Sequence, residues 1–189
     1  MSEADSPDSV TNPTPDTTDL RTGEPLNDRL LAVLPLVGRW RGAGHGVVPS
    51  TGVEFQYGQE VTFAHDGRPF LVYQSRSWLQ DINNEVIRQA QRETGFWRCG
   101  PGEDDIEALI TTIVGVSLLH TGRAGDLHWE LESVSSQSTP TAERVGGERR
   151  FYALRGEDLF YATELAPIDP ATGLPGEFSP HLNASLQRI

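Results

Sequence analysis

The chain has 189 residues, long enough for one domain with a core of its own, and carries a formal net charge of −12. All 15 basic residues are arginine, and the acidic balance makes nucleic acid and anionic membranes poor partners. A lone Cys99 excludes an internal disulfide framework and a Cys-based zinc site, and Met1–Asp5 begin no apolar leader, so a cytoplasmic location with no membrane partner is the expectation.

Residues 1–25 are rich in Pro, Thr, Ser and Asp and poor in apolar side chains, which predicts a disordered acidic tail; one domain then spans residues 26–189. Asn27 or Asp28 can cap a short helix with Leu30, Leu31, Val33 and Leu34 on one stripe, and Pro35 discourages its continuation. The run Gly38-Arg39-Trp40-Arg41-Gly42-Ala43-Gly44-His45-Gly46 follows. Glycines this dense imply curvature or close backbone approach, with Trp40 supplying bulk at the base of a closed sheet.

From there the apolar period is two. Phe55, Tyr57, Val61 and Phe63 share one parity, His65-Asp66-Gly67 makes a turn, and in the returning strand Phe70 and Val72 alternate with Leu71 and Tyr73 before Trp78. Further strands are predicted at Glu93–Arg98, within the apolar stretch Ile106–Leu119, and at Leu127–Leu131, Arg149–Leu154 and Leu159–Leu165. The connectors between them are 100–105, 121–126 and 155–158. A Pro- and Gly-rich loop from Ala166 leads to a last strand in which Leu182, Ala184 and Leu186 alternate with His181, Asn183 and Ser185. The count is roughly nine to eleven short strands with no long helix, and closure into a barrel removes the exposed edges of such a meander. The expected fold is therefore all-β, an antiparallel barrel of about ten strands wide enough for a ligand, with a short N-terminal helix.

Four motifs stand in order over about residues 30–189: Gly38-x-Trp40-x-Gly42-x-Gly44, His65-Asp-Gly-Arg-Pro-Phe-Leu71, Gly95-Phe-Trp-Arg98, and His181-Leu-x-Ala-x-Leu-x-Arg188. Together they resemble the nitrobindin family. The resemblance implies a ten-stranded barrel similar to fatty-acid-binding proteins and lipocalins, holding heme b through one C-terminal histidine. It also implies a ferric heme that isomerises peroxynitrite to nitrate and binds nitric oxide, with no catalytic residue beyond the iron and a homodimeric assembly. By the same resemblance the axial ligand is His181, the hydroxyl near the heme is Ser50 of Val48-Pro49-Ser50, and a cationic heme contact is Arg149 or Arg150. The loop from Ala166 to His181 is longer than the family pattern, and a one-residue slip in the final strand would turn His181 to the other face.

Among the remaining histidines, His45 in the glycine strand reads either as distal to a heme or as an exposed strand position, while His65 falls in a solvated turn and His120 and His128 read as surface residues. Cys99 reads as a structural thiol at a strand end. No Gly-x-Ser-x-Gly elbow, phosphate loop or metal-hydrolase spacing is present. Two rival readings share the barrel: a carrier of a lipid or other apolar ligand, and a heme or nitric-oxide sensor whose acidic tail engages a partner.

Overall fold

The computed structural model describes residues 14–189; the earlier part of the expected acidic tail lies outside the described residues. Ten strands form one closed antiparallel barrel: β1 (Gly38–Val47), β2 (Glu54–Ala64), β3 (Leu71–Gln80), β4 (Val86–Cys99), β5 (Asp105–Thr112), β6 (Val116–Gly125), β7 (His128–Ser138), β8 (Val145–Arg155), β9 (Asp158–Pro167) and β10 (Ser179–Arg188). Each strand pairs with its sequence neighbour, and β1 closes the ring on β10. No helix among the described residues is long and apolar enough to cross a membrane.

The glycine run does what its spacing predicts. A Cβ at Gly42 would sit 2.0 Å from the Ser185 carbonyl oxygen, and one at Gly44 equally close to that of Asn183, so the β1–β10 seam closes only over bare backbone. Trp40 points inward at the opposite end of β1 from the mouth, almost fully buried.

That end is sealed by Asp28–Leu36, a 3-10 helix capped by the Asn27 side chain, which accepts from the Arg29 N–H. Pro35 lies inside its last turn rather than ending it, and the Val37 N–H closes on the Leu34 carbonyl at 3.1 Å. Two indoles fix the helix as a lid: Trp40 Nε1 donates to Leu36 O and Trp129 Nε1 to Ala32 O, both at 2.8 Å. Arg188 adds a clamp from β10, donating to the Val37 and Pro35 carbonyls while its guanidinium lies 4.1 Å from the Trp40 ring centroid. Leu30, Val33 and Leu36 on the underside of the lid join Phe63, Trp97 and Tyr152 in the core of the closed half of the barrel.

The structure departs from sequence reading at several places. The apolar stretch Ile106–Leu119 is two strands, because Gly115 turns the chain at φ +85° between β5 and β6. The supposed connector 121–126 is largely strand; Gly122 and Gly125 pair with Leu131 and His128, and the turn is made by Asp126 and Leu127, the latter at φ +55°. His65 is not solvated. The stretch preceding the helix crosses the β2–β3 turn, where Thr17 and His65 exchange backbone hydrogen bonds of 2.8 and 2.9 Å, and it buries the imidazole completely. Neither ring nitrogen of His65 has a partner among the described residues. Burial therefore pushes its pKa down, and Asp66 and Asp16 offset this only in part.

Candidate functional site

The open half of the barrel holds a cavity of about 470 Å³, within the range of sites for organic cofactors. Its upper wall is apolar, built from Val48, Val53, Phe55, Leu79, Val116 and Leu165 near the strand ends that face away from the lid. Its polar groups include His181 on one wall, Arg88 on another with Ser77, Gln91 and Thr112, and Tyr57, Glu93, Glu148 and Arg150 deeper in.

Alternation along β10 would place His181 on the outside with Asn183 and Ser185. A β-bulge prevents this. Pro180 pairs with Glu164 and Leu182 with Thr163, so His181 is the extra residue opposite consecutive positions of β9. A bulge re-aims one side chain without disturbing the strand beyond it. Both His181 and Leu182 consequently line the cavity, while Ala184 and Leu186 keep their inward parity toward the lid. The long 166–181 loop thus does not lose the histidine.

The imidazole is also held in one tautomer. His181 Nδ1 lies 2.8 Å from the Val47 carbonyl oxygen, which can only accept, so Nδ1 carries the proton. In the neutral ring Nε2 then keeps its lone pair, and it has no hydrogen-bond partner among the described residues. Phe55 sets its ring edge against the imidazole at a centroid distance of 6.4 Å and restricts its rotation. A histidine oriented by a backbone carbonyl, with the other nitrogen bare in an apolar cavity, is what an axial iron ligand requires. The donor set and the cavity fit heme.

The cavity floor is a buried ionic network. Arg150 is 2% exposed and donates from Nε to Glu148 Oε2 at 2.7 Å, and from its two Nη atoms to the Glu93 carboxylate at 2.8 Å each. Tyr73 donates to Glu93 at 2.7 Å, and His120 Nε2 lies 3.2 Å from Glu148 Oε2. Burial works against the charges of Arg150 and Glu148. For Arg150, Glu148 and Glu93 outweigh it and hold the guanidinium charged; for Glu148, Arg150 and His120 hold the carboxylate below the usual range. His120 is thus a core residue rather than a surface one, and its place was visible in the alternation Val116-x-Leu118-x-His120. Glu148, Arg150 and Tyr152 share an inward parity in the same way.

The other sequence candidates are distributed less compactly. Arg149 faces outward, paired with Glu132 and Glu164 and lying 4.0 Å from the Phe178 ring centroid. Ser50 sits in the exposed turn between β1 and β2, where Val48 and Val53 rather than Ser50 border the cavity. His45 is exposed on the outer face of β1. His128 lies at the start of β7, half-buried and stacked on Phe151. Cys99 is half-buried and unbridged, and burial raises its thiol pKa.

Comparison with known proteins agrees with this architecture. The "Peroxynitrite isomerase" of Salinispora arenicola is 42% identical over 90% of this chain and 86% of its own length. A protein of the same name from Streptomyces griseus is 42% identical over 89% of each chain. The "Ferric nitrobindin-like protein" of Corynebacterium diphtheriae is 37% identical over 92% of this chain and 75% of its own. Among solved structures, that of Rv2717c from M. tuberculosis superposes with a TM-score of 0.72 at 28% identity, covering 87% of this chain and 99% of that one. Residues 29–188, from the lid helix to the last arginine of β10, match the THAP4-like, heme-binding beta-barrel domain, and the chain belongs to that family.

Proposed function

We propose that the chain carries heme b on His181, isomerises peroxynitrite to nitrate when the heme is ferric, and binds nitric oxide at the same iron. The observation that carries the reading is the His181 geometry: a bulge turns the ring into an apolar cavity, and the Val47 carbonyl fixes Nε2 as the free donor. Relatives named peroxynitrite isomerase at about 40% identity over most of the chain support the reaction.

Ferric heme supplies an open coordination position at which a peroxo bond can be weakened and rearranged. The chain's residues bind and orient. Val47 and Phe55 hold the imidazole, the valine and leucine wall restricts water, and the network under the cavity keeps its charges engaged with one another. No side chain has to act as general base. Arg150 borders the cavity floor while Arg149 and Ser50 lie away from it, so His181 is the contact on which binding depends.

The reading retains a cytoplasmic setting, since a fold with one cysteine has no internal disulfide that would demand an oxidising compartment. It also retains a homodimer, for which the outward row Phe96, Leu109 and Leu119, cross-strand neighbours on β4, β5 and β6, offers an apolar face. Stopped-flow decay of peroxynitrite tests the activity. The ferric holoprotein should speed the decay and shift its product to nitrate, and His181→Ala should lose both effects. Decay no faster than in buffer would remove the isomerase reading and leave heme binding alone.

A further inference from the structure

The charges that line the cavity carry one more conclusion, which rests on the heme reading above. Heme b is amphiphilic: an apolar macrocycle with a pair of propionate carboxylates on one edge. Those carboxylates must meet either the floor or the mouth.

The floor is closed to them. Arg150 already bridges Glu93 and Glu148, and Glu148 faces His120 as well. A propionate there would bring a further carboxylate against two that are already buried, in a low-dielectric setting where like charges repel strongly. The cation at the floor is therefore committed within the protein.

The mouth is different. β4 runs from Val86, but β5 pairs only with its Glu93–Cys99 portion. The first part of β4 thus reaches past the ring of strands, bonded to β3 alone, and the β3–β4 register shifts at two points along the way. Arg88 lies on this arm opposite Leu79, and both line the cavity. Its β4 position is four strands from the His181 strand through β1–β3 and six through β9–β5, hence on a facing wall. Among the described residues Arg88 has no carboxylate within ion-pair distance. Its guanidinium makes one weak hydrogen bond, 3.4 Å to the neighbouring Gln89 carbonyl. It is the one cavity-lining cation not already paired among those residues.

We infer that Arg88 is the propionate-binding residue, and that heme enters with its carboxylate edge toward the β3–β4 arm and its apolar edge toward the floor. A planar guanidinium fork matches a carboxylate in two-point fashion, which suits a group that must select one edge of a flat ligand. Because Arg88 is exposed, its effect is modest, about fivefold in affinity.

The test uses the full-length apoprotein titrated with hemin and with hemin dimethyl ester, whose propionates are neutral, followed by the Soret band. Wild type should prefer hemin about fivefold over the ester. Arg88→Gln should weaken hemin by that factor, leave the ester unchanged and abolish the preference, whereas Arg149→Gln on the outer face should keep it. Equal preference in wild type and Arg88→Gln, with hemin still bound through His181, would overturn the Arg88 assignment alone. Failure of wild type to take hemin with a His181-dependent spectrum would overturn both this inference and the function on which it rests.

Discussion

Replacing Arg150 by methionine removes the cation that holds two buried carboxylates. In the folded protein its guanidinium donates to Glu148 at 2.7 Å and to both oxygens of Glu93 at 2.8 Å, and the Glu93 and Glu148 side chains are only 12% and 7% exposed. Breaking a buried ion pair from one side leaves an uncompensated charge and destabilises by about 3–5 kcal/mol. Against a total stability of about 5–15 kcal/mol that is a large fraction. Urea unfolding at neutral pH should show it as a midpoint lowered by roughly 1.5–2.5 M, for a slope near 2 kcal/mol per M. The pH dependence has a definite sign. In wild type the Glu148 pKa is depressed, so its contribution is present above the unfolded carboxylate range and is lost as pH falls below it. In Arg150→Met the orphaned carboxylates are instead pushed upward by burial, and protonation relieves them. The gap between the two proteins should therefore be widest at pH 7 and narrow toward about pH 5. Adding Glu148→Gln should return about 1–2 kcal/mol, since it removes one of the stranded charges. An Arg150→Met protein as stable as wild type, or a gap indifferent to pH, would refute this account of the floor.

Gly44→Ala should open the β1–β10 seam, because its Cβ would meet backbone oxygen of Asn183 at 2.0 Å; a loss of about 3 kcal/mol or more in thermal unfolding is expected. Trp129→Phe keeps the ring but loses the bond to the Ala32 carbonyl, which should lower stability by about 1 kcal/mol and hasten amide exchange at Val37. His65 resists protonation when folded, so the unfolded chain takes up the proton first; stability should fall as pH drops through about 6.5, and His65→Leu should flatten that slope in urea titrations. Ser50→Ala should leave the hemin titration unchanged, since Ser50 is exposed in the β1–β2 turn away from the cavity wall.

Much of the barrel was legible because its information is local. The period-two alternation of Phe55 to Phe63, the glycines facing β10 and the turn at His65-Asp66-Gly67 each follow from one strand and its neighbour. The axial histidine could be named from its motif, but its orientation could not: simple alternation turns His181 outward, and only the bulge opposite β9 returns it to the cavity. The ionic floor was hidden for another reason. Glu93, His120, Glu148 and Arg150 come from β4, β6 and β8, and their charges become intelligible only when the ring closes and brings them together. His65 shows the same limit, since nothing within the β2–β3 turn reveals that Thr17 will cross over it.

The central claim is that His181 Nε2 holds the iron. Hemin titration of His181→Gly, with and without free imidazole, tests it most directly, because imidazole can occupy the space the side chain leaves beside the Val47 carbonyl. The account predicts that the wild-type Soret band is lost in His181→Gly and restored by imidazole. A His181→Gly protein that gives the wild-type spectrum without imidazole would contradict it.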